Sequence, residues 1–112
     1  MKGTLLRLYV HEKTKHRHIL LYEWLLEQAK KMGIHGGSAF RAIAGFGRHG
    51  ILHEEHFFEL ADLTVEIDFA VTDEEADQLL AMIDREHVHM FYARIPIEFG
   101  IVGATSSDGR AK

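Results

Sequence analysis

Hydrophobic positions alternate with polar ones along four segments of the chain, a pattern typical of β-strands that bury one face. The segments are residues 5–10, 38–46, 63–71 and 92–99. In the third of them, Leu, Val, Ile, Phe and Val occupy every second position. We therefore predict four strands, each with an apolar side that faces a common core.

Two further segments repeat apolar residues at helical spacing. The first covers residues 19–32 and ends at Gly33, which suits the left-handed position that often follows a helix. The second begins at Thr72, because Thr72 and Glu75 have the residue types and spacing of a capping box. The resulting order, β-α-β-β-α-β, predicts a ferredoxin-like α+β fold with an antiparallel four-stranded sheet. Both helices lie on one face, and a long loop joins strands two and three.

This plan places the second and fourth strands at the edges of the sheet. The only proline, Pro96, falls in the fourth strand, where an edge tolerates the missing N–H donor. We expect residues 1–102 to form one domain and residues 103–112, which are small and polar, to form a flexible tail.

Alternation within each strand also predicts which residues lie on the face of the sheet that no helix covers. It assigns Phe40 to the helix side. The uncovered face receives a tyrosine, three cations and three anions: Arg7, Tyr9, Arg41, Glu66, Asp68, Arg94 and Glu98. One interpretation is the solvated face of a monomer. The other is a symmetric oligomer in which the sheets of several copies meet and these charges pair.

Composition narrows the classes of protein that need to be considered. The 112 residues suit one domain, carry a net charge of −4 and include no cysteine. The charge argues against a nucleic-acid partner, and the lack of cysteine fits a reducing, cytoplasmic compartment. We expect no transmembrane segment and no signal peptide, because no apolar run is long enough and the chain starts directly with a strand pattern.

The strongest candidate for ligand chemistry is the glycine-rich turn at the end of the second strand. Gly45 and Gly47 flank Phe46, and Arg48 follows directly. Glycine lets a backbone approach a ligand closely, and N–H groups beside a guanidinium suit an anion such as phosphate. A dinucleotide-binding fingerprint is disfavoured, because no helix cap follows Gly50 and the chain is too short for two Rossmann halves.

Histidines and carboxylates cluster in the loop after this turn. His49, His53 and His56 are candidate ligands for zinc, nickel or copper, although their spacing matches no known closed site. Catalytic chemistry is poorly supported, because no nucleophile lies in a recognised pattern. Glu66 and Asp68 could be paired carboxylates, but an ion pair with Arg7, Arg41 or Arg94 explains them better. We expect a protein that is not an enzyme.

The chain resembles the PII-like proteins, most closely the branch known as domain of unknown function 190, over nearly its whole length to about Phe99. The resemblance rests on residues 6–12, 21–23, 29–34, 36–48 and 65–67. It implies a ferredoxin-like homotrimer that holds an adenine nucleotide, AMP or ADP, in clefts between subunits.

The same resemblance implies roles for individual residues. The glycine-rich turn would line the cleft and face the phosphates, and the third strand would approach the adenine through its backbone. The nucleotide-binding residues predicted in this way are Gly45, Phe46, Gly47, Arg48, Arg41, Glu66 and Asp68.

Two features depart from the PII pattern. The connection at residues 86–90 contains no glycine, whereas PII proteins cradle a triphosphate with a glycine-rich loop there, so one or two phosphates are expected. Residues 48–62 contain no tyrosine, so the nucleotidylation known for PII loops is not expected.

The sequence therefore predicts a regulatory protein that binds AMP or ADP and signals through the loop 48–60, which a partner protein would contact. Two alternatives stay open. One is a metal-binding protein that uses the histidine-rich loop, in the manner of CutA-type proteins of the same architecture. The other is a trimeric scaffold without a small ligand.

Overall fold

A four-stranded antiparallel sheet, a two-stranded hairpin and two helices make up the part of the molecule that the structure describes. The computed structural model describes residues 1–45 and 63–103. In chain order the elements are β1 (Lys2–His11), β2 (Lys15–His16), β3 (Ile19–Leu20), α1 (Leu21–Lys31), β4 (Ser38–Arg41), β5 (Thr64–Val71), α2 (Asp73–Arg85) and β6 (Phe91–Glu98).

The main sheet has the strand order β4-β5-β1-β6, and every neighbouring pair is antiparallel. The predicted α+β fold is confirmed, and the second and fourth predicted strands, now β4 and β6, lie at the edges. Pro96 lies in the edge strand β6, as predicted, and an edge strand tolerates a residue without an N–H donor. Strand β4 ends at Arg41, five residues earlier than its alternating pattern predicts.

The helix ends are set by local sequence signals. In the capping box of α2, the Glu75 backbone N–H donates to Thr72 Oγ1 at 3.1 Å, and the Thr72 N–H donates to Glu75 Oε1 at 2.9 Å. Gly33 follows α1 with a φ of 91°, a left-handed conformation that glycine adopts without strain. Both boundaries were predicted from the sequence to within two residues.

The hydrophobic core lies between the helices and one face of the sheet. The inward positions of β1 and β5 meet the apolar stripes of α1 and α2, and eight of these residues are at most 1% exposed: Leu6, Leu8, Leu25, Ile67, Phe69, Val71, Ala76 and Leu79. Burying each large side chain contributes about 1.5–3 kcal/mol to folding. Neither described helix has the length and hydropathy needed to cross a bilayer.

A short hairpin of β2 and β3 precedes α1, where the sequence predicts only a basic loop. Its turn residues Arg17 and His18 have φ values of 54° and 71°, as a two-residue turn of this hand requires. His16 is half-buried: its ring lies edge-on to Trp24, with centroids 4.4 Å apart, and its Nε2 is 3.0 Å from Glu86 Oε1. The spacing of His16 and His18, two residues apart in a basic segment, predicts exposed loop residues. For His16 this prediction is wrong, because the end of α2 reaches its side chain.

Strand register corrects the predicted uncovered face. Arg94 is paired with the buried Leu6, so it lies on the helix side, where its Nη1 donates to Asp77 Oδ1 of α2 at 2.7 Å. Glu98 follows on the same side as Arg94, and Arg41 is paired with the buried Val65. These three residues were wrongly assigned to the uncovered face.

Phe40 shows the opposite error. It is paired with Glu66, so it lies on the uncovered face, and it is 54% exposed. In β6 the apolar residues of the alternating pattern, Phe91, Ala93, Ile95 and Ile97, lie on the uncovered face, so alternation alone assigns its two sides the wrong way round. Only the pairing of β4 with β5 and of β6 with β1 decides which side faces the helices. The uncovered face therefore loses the balance of three cations and three anions.

Candidate functional site

The described part of the predicted ligand turn begins with β4. Gly37 enters the strand against Phe69, and a Cβ at Gly37 would come within 2.4 Å of the Phe69 ring. After the strand, the Ala42 N–H donates to the Thr64 carbonyl at 2.8 Å, so the chain stays beside β5 for one more residue. Gly45 is exposed, with no described atom within 4 Å of the position that a Cβ would occupy. No described residue therefore crowds the backbone at Gly45.

Several predicted site residues lie outside the described residues. They are three members of the glycine-rich turn and the three histidines proposed as metal ligands: Phe46, Gly47, Arg48, His49, His53 and His56. The signalling loop 48–60 and the tail beyond residue 103 also fall there. Within residues 1–45 and 63–103, no group of three or more histidine or carboxylate side chains is arranged to hold a metal ion.

Arg41 binds Glu12 at the start of the segment that follows β4. Its Nε donates to Glu12 Oε2 at 3.1 Å, and its Nη2 donates to the same oxygen. The Glu12 backbone N–H in turn donates to the Leu63 carbonyl at 2.7 Å. Glu12 therefore connects Arg41, which precedes residues 46–62, with Leu63, which follows them.

The electrostatics of this pair are those of a charge-assisted hydrogen bond at the surface. The hydrogen bond from Arg41 lowers the pKa of Glu12 below its ordinary value and raises the pKa of Arg41. The Arg41 side chain is 58% exposed, so its remaining N–H donors can still reach an anion from solvent. Sequence analysis did not assign Glu12 to the site, and no local signal in the sequence marks it.

Glu66 and Asp68 form a second cluster with Arg7 on the uncovered face. Arg7 Nε is 3.0 Å from Glu66 Oε2 and 3.1 Å from Asp68 Oδ1, and Arg7 Nη2 donates to Asp68 Oδ2 at 3.4 Å. Of the three candidate partners Arg7, Arg41 and Arg94, the structure therefore selects Arg7.

The two acids of this cluster are not equivalent. Burial raises the pKa of Glu66 above its ordinary value, and a hydrogen bond with Asp68 raises it further. Asp68 receives two contacts from Arg7, whereas Glu66 receives one. Since Arg41 lies on the helix side, the predicted nucleotide-binding set is divided between the two faces of the sheet.

A groove that the sequence does not predict lies beside the edge strand β6, at the end of α2. Its volume is about 270 Å³, and its walls are mostly apolar, with one carboxylate and one imidazole: Leu8, Leu80, Ile83, Asp84, Val88, His89, Met90 and Tyr92. The glycine-free connection at residues 86–90 forms one wall, and His87 in it has a φ of 58°, a conformation that glycine usually supplies.

Comparison with known proteins places the chain among uncharacterised relatives. The model of the DUF190 family, described as "Uncharacterized ACR", matches residues 3–98. A UPF0166 protein from Aquifex aeolicus is 32% identical over 88 residues, which cover 78% of this chain and 84% of that one.

Solved structures establish the type of fold. CPII from Thiomonas intermedia, a nitrogen regulatory PII-like protein bound to ADP, AMP and bicarbonate, matches with a TM-score of 0.55 and 18% identity. That match covers 90% of this chain and 98% of CPII. A protein from Thermus thermophilus assigned to PII-like signalling matches with a TM-score of 0.53 and 18% identity, over 86% of this chain and 88% of that one. The fold of the chain is the ferredoxin-like fold of PII-like proteins.

Proposed function

The chain belongs to the DUF190 family, and from this premise we propose that it is a PII-like regulatory protein that binds AMP or ADP between the subunits of a homotrimer. The observation that carries the proposal is the family match over residues 3–98 on a PII-like fold. The structure of CPII with ADP and AMP bound supports an adenine nucleotide as the ligand class.

The proposed phosphate site is the segment that leaves β4. Gly45 is open to solvent, and the Arg41 guanidinium is half-exposed at the base of the same segment. Gly47 and Arg48 would add a backbone N–H and a second cation, as the sequence pattern indicates. Two arginines and open backbone N–H groups suit the charge of one or two phosphates.

The proposed signal is a difference in ligand affinity between two arrangements of the chain. A nucleotide that binds one arrangement of the loop 48–60 more tightly would shift the population toward it, and a partner protein would bind that arrangement. This mechanism needs no catalytic residue, because the signal depends only on tighter binding of the nucleotide to one arrangement of the loop than to the other.

The connection at residues 86–90 argues against a triphosphate ligand. It contains no glycine, and its one described left-handed residue is His87, whose side chain occupies space that a glycine would leave open. A third phosphate would therefore find fewer backbone N–H donors than in a glycine-rich loop. We expect ATP to bind no more tightly than AMP or ADP.

Isothermal titration calorimetry of the metal-stripped protein against AMP, ADP, ATP and Zn²⁺ tests this function. The expected result is saturable binding of AMP or ADP, with ATP equal or weaker. Tight ATP binding with weak AMP binding would contradict the phosphate argument. Zn²⁺ binding without any nucleotide binding would favour the histidine-rich loop, and no binding at all would favour a scaffold.

A further inference from the structure

The uncovered face of the sheet carries two carboxylates that share one guanidinium. Arg7 contacts both Glu66 and Asp68 within 3.1 Å, and the three side chains are 31%, 28% and 18% exposed. With both acids ionised, these three groups carry one net negative charge. They are already partly removed from water in a single copy of the chain.

The surroundings of this cluster are aromatic and aliphatic. Tyr9 and Phe40 are the strand neighbours of Glu66, and Ala93 is the neighbour of Arg7. Phe40 and Phe91 are 54% and 45% exposed, and the rings of Tyr9 and Phe91 are 5.7 Å apart. Exposed aromatic residues around a charged centre are typical of a surface that another protein covers.

The titratable groups that face the cluster are few among the described residues. On β1 they are Tyr9 and, one pair further along, His11, which is the neighbour of Thr64. Strands β4 and β6 present Ser38, Phe40, Ala93 and Phe91 on this face, none of which carries a charge near neutral pH. His11 is therefore the one histidine among the paired residues of this sheet, and it is the imidazole to be tested beside the cluster.

We propose that Arg7, Glu66 and Asp68 form a proton-binding site at the interface between copies of this chain, so that assembly takes up a proton at Glu66. The inference rests on the homotrimer of the proposed function. It adds the proton as a second ligand of that homotrimer, beside the nucleotide. Symmetric assembly through this face brings identical acidic clusters together and removes their remaining water. A buried carboxylate without a cation of its own is unfavourable, because it loses its hydration. Binding a proton neutralises the carboxylate and removes this penalty.

Geometry selects Glu66 as the acid that binds the proton. Asp68 keeps two hydrogen bonds from Arg7, which favour its ionised form. A protonated Glu66 can donate its O–H to a carboxylate oxygen of Asp68. This hydrogen bond replaces one to water that the oxygen would lose on assembly. In a single copy of the chain the pKa of Glu66 is already raised, mainly by burial, which agrees with proton binding at Glu66.

The sign of the pH dependence follows from this direction. Assembly binds protons, so it is favoured at low pH and weakens as the pH rises through the pKa of Glu66 in the assembled state. Linkage limits the slope to about one proton per copy, so the association of each copy weakens by up to about tenfold per pH unit in that range.

Sedimentation velocity of the nucleotide-free protein from pH 5 to 8.5, over a dilution series, tests the proposal. The wild type should dissociate at higher concentrations as the pH rises. Glu66→Gln, whose amide can donate to Asp68 in place of the carboxyl O–H, should assemble at pH 8.5 as well as the wild type does at pH 5. The matched control Glu23→Gln, on the exposed side of α1, should behave as the wild type.

Two further variants keep the test decisive. His11→Gln should retain the pH dependence, and its loss in this variant would assign the proton to His11 and overturn the proposal. Asp68→Asn removes the same net negative charge of the cluster, so it should also weaken the pH dependence. It replaces Glu66→Gln in the test if that variant does not fold. Where dilution does not dissociate the assembly, the rate of subunit exchange between isotopically distinct preparations, read by native mass spectrometry, gives the same comparison.

The outcomes separate this site from the proposed function. An assembly that is equally stable from pH 5 to 8.5, or a Glu66→Gln variant with the slope of the wild type, overturns the proton site and leaves the homotrimer in place. A monomer at every pH and concentration overturns the homotrimer itself and the proton site with it.

Discussion

Individual side chains of this protein are positioned by partners that are distant in sequence. Glu12 and Arg41 are 29 residues apart, and Arg17 and Glu86 are 69 apart. Sequence analysis identified Arg41, Glu66 and Asp68 as residues of interest from their types and their place in strands. It could not assign their partners, because several arginines were equally compatible with the pattern.

The glycine-rich turn provides the residue-scale test of nucleotide binding. Arg48→Ala should weaken AMP or ADP binding by roughly ten- to a hundredfold, because a charge-assisted hydrogen bond contributes about 1.5–3 kcal/mol. Calorimetry measures the change, and Arg85→Ala, which removes the same charge from the exposed end of α2, is the matched control. Equal affinity of both variants would remove Arg48 from the proposed site. Gly47→Val should abolish binding on steric grounds while the assembly stays intact.

At the scale of elements, local signals and tertiary contacts contributed differently. The capping box at Thr72 and the stop at Gly33 are local, and both helices begin or end near the positions that they predict. The hairpin of β2 and β3 has no such signal. It depends on Glu86, which accepts hydrogen bonds from Arg17 and contacts His16, and on the ring of Trp24. The basic sequence alone therefore predicts a loop there.

The capping box also allows a test of element stability. Thr72→Ala should lower the free energy of unfolding by about 1 kcal/mol, because the N–H of Glu75 loses its acceptor in the first turn of α2. Chemical denaturation followed by circular dichroism measures the change. Glu75→Gln is the control, since glutamine also serves at this position of a capping box and should leave stability nearly unchanged. A loss in Glu75→Gln as large as that in Thr72→Ala would mean that the charge of Glu75 stabilises α2 as much as the Thr72 cap does.

At the scale of the whole molecule, both described helices pack on the same face of the sheet, and no described helix covers the other face. The sequence predicts this face from the order of its elements, but it predicts the wrong charge balance. Three charged residues assigned to the face lie on the helix side, and Phe40 lies on the face instead. What remains on this face is an aromatic and aliphatic surface around Arg7, Glu66 and Asp68. Such a surface favours contact with another copy of the chain. It does not favour a contact held together by many ion pairs between copies.

The uncovered face can be tested directly with one substitution. Ile95 is paired with Leu5 on this face, so Ile95→Asp would place a carboxylate in the proposed interface and should dissociate the proposed homotrimer. Multi-angle light scattering measures the mass, and Gln78→Asp, which adds the same charge on the exposed side of α2, should leave it unchanged. A stable trimer of the Ile95 variant would place the interface elsewhere.

The sequence by itself determined the two helices and the four strands of the main sheet, their order and the family to which the chain belongs. Periodicity, caps and a lone edge proline are local properties, so they can be interpreted without knowing what packs against them. Only the tertiary structure decided which side of each edge strand faces the helices, which guanidinium holds which carboxylate, and where the groove beside β6 forms. Register is a relation between strands, and an ion pair is a relation between residues far apart in the chain. Neither is encoded in the spacing of letters within one segment.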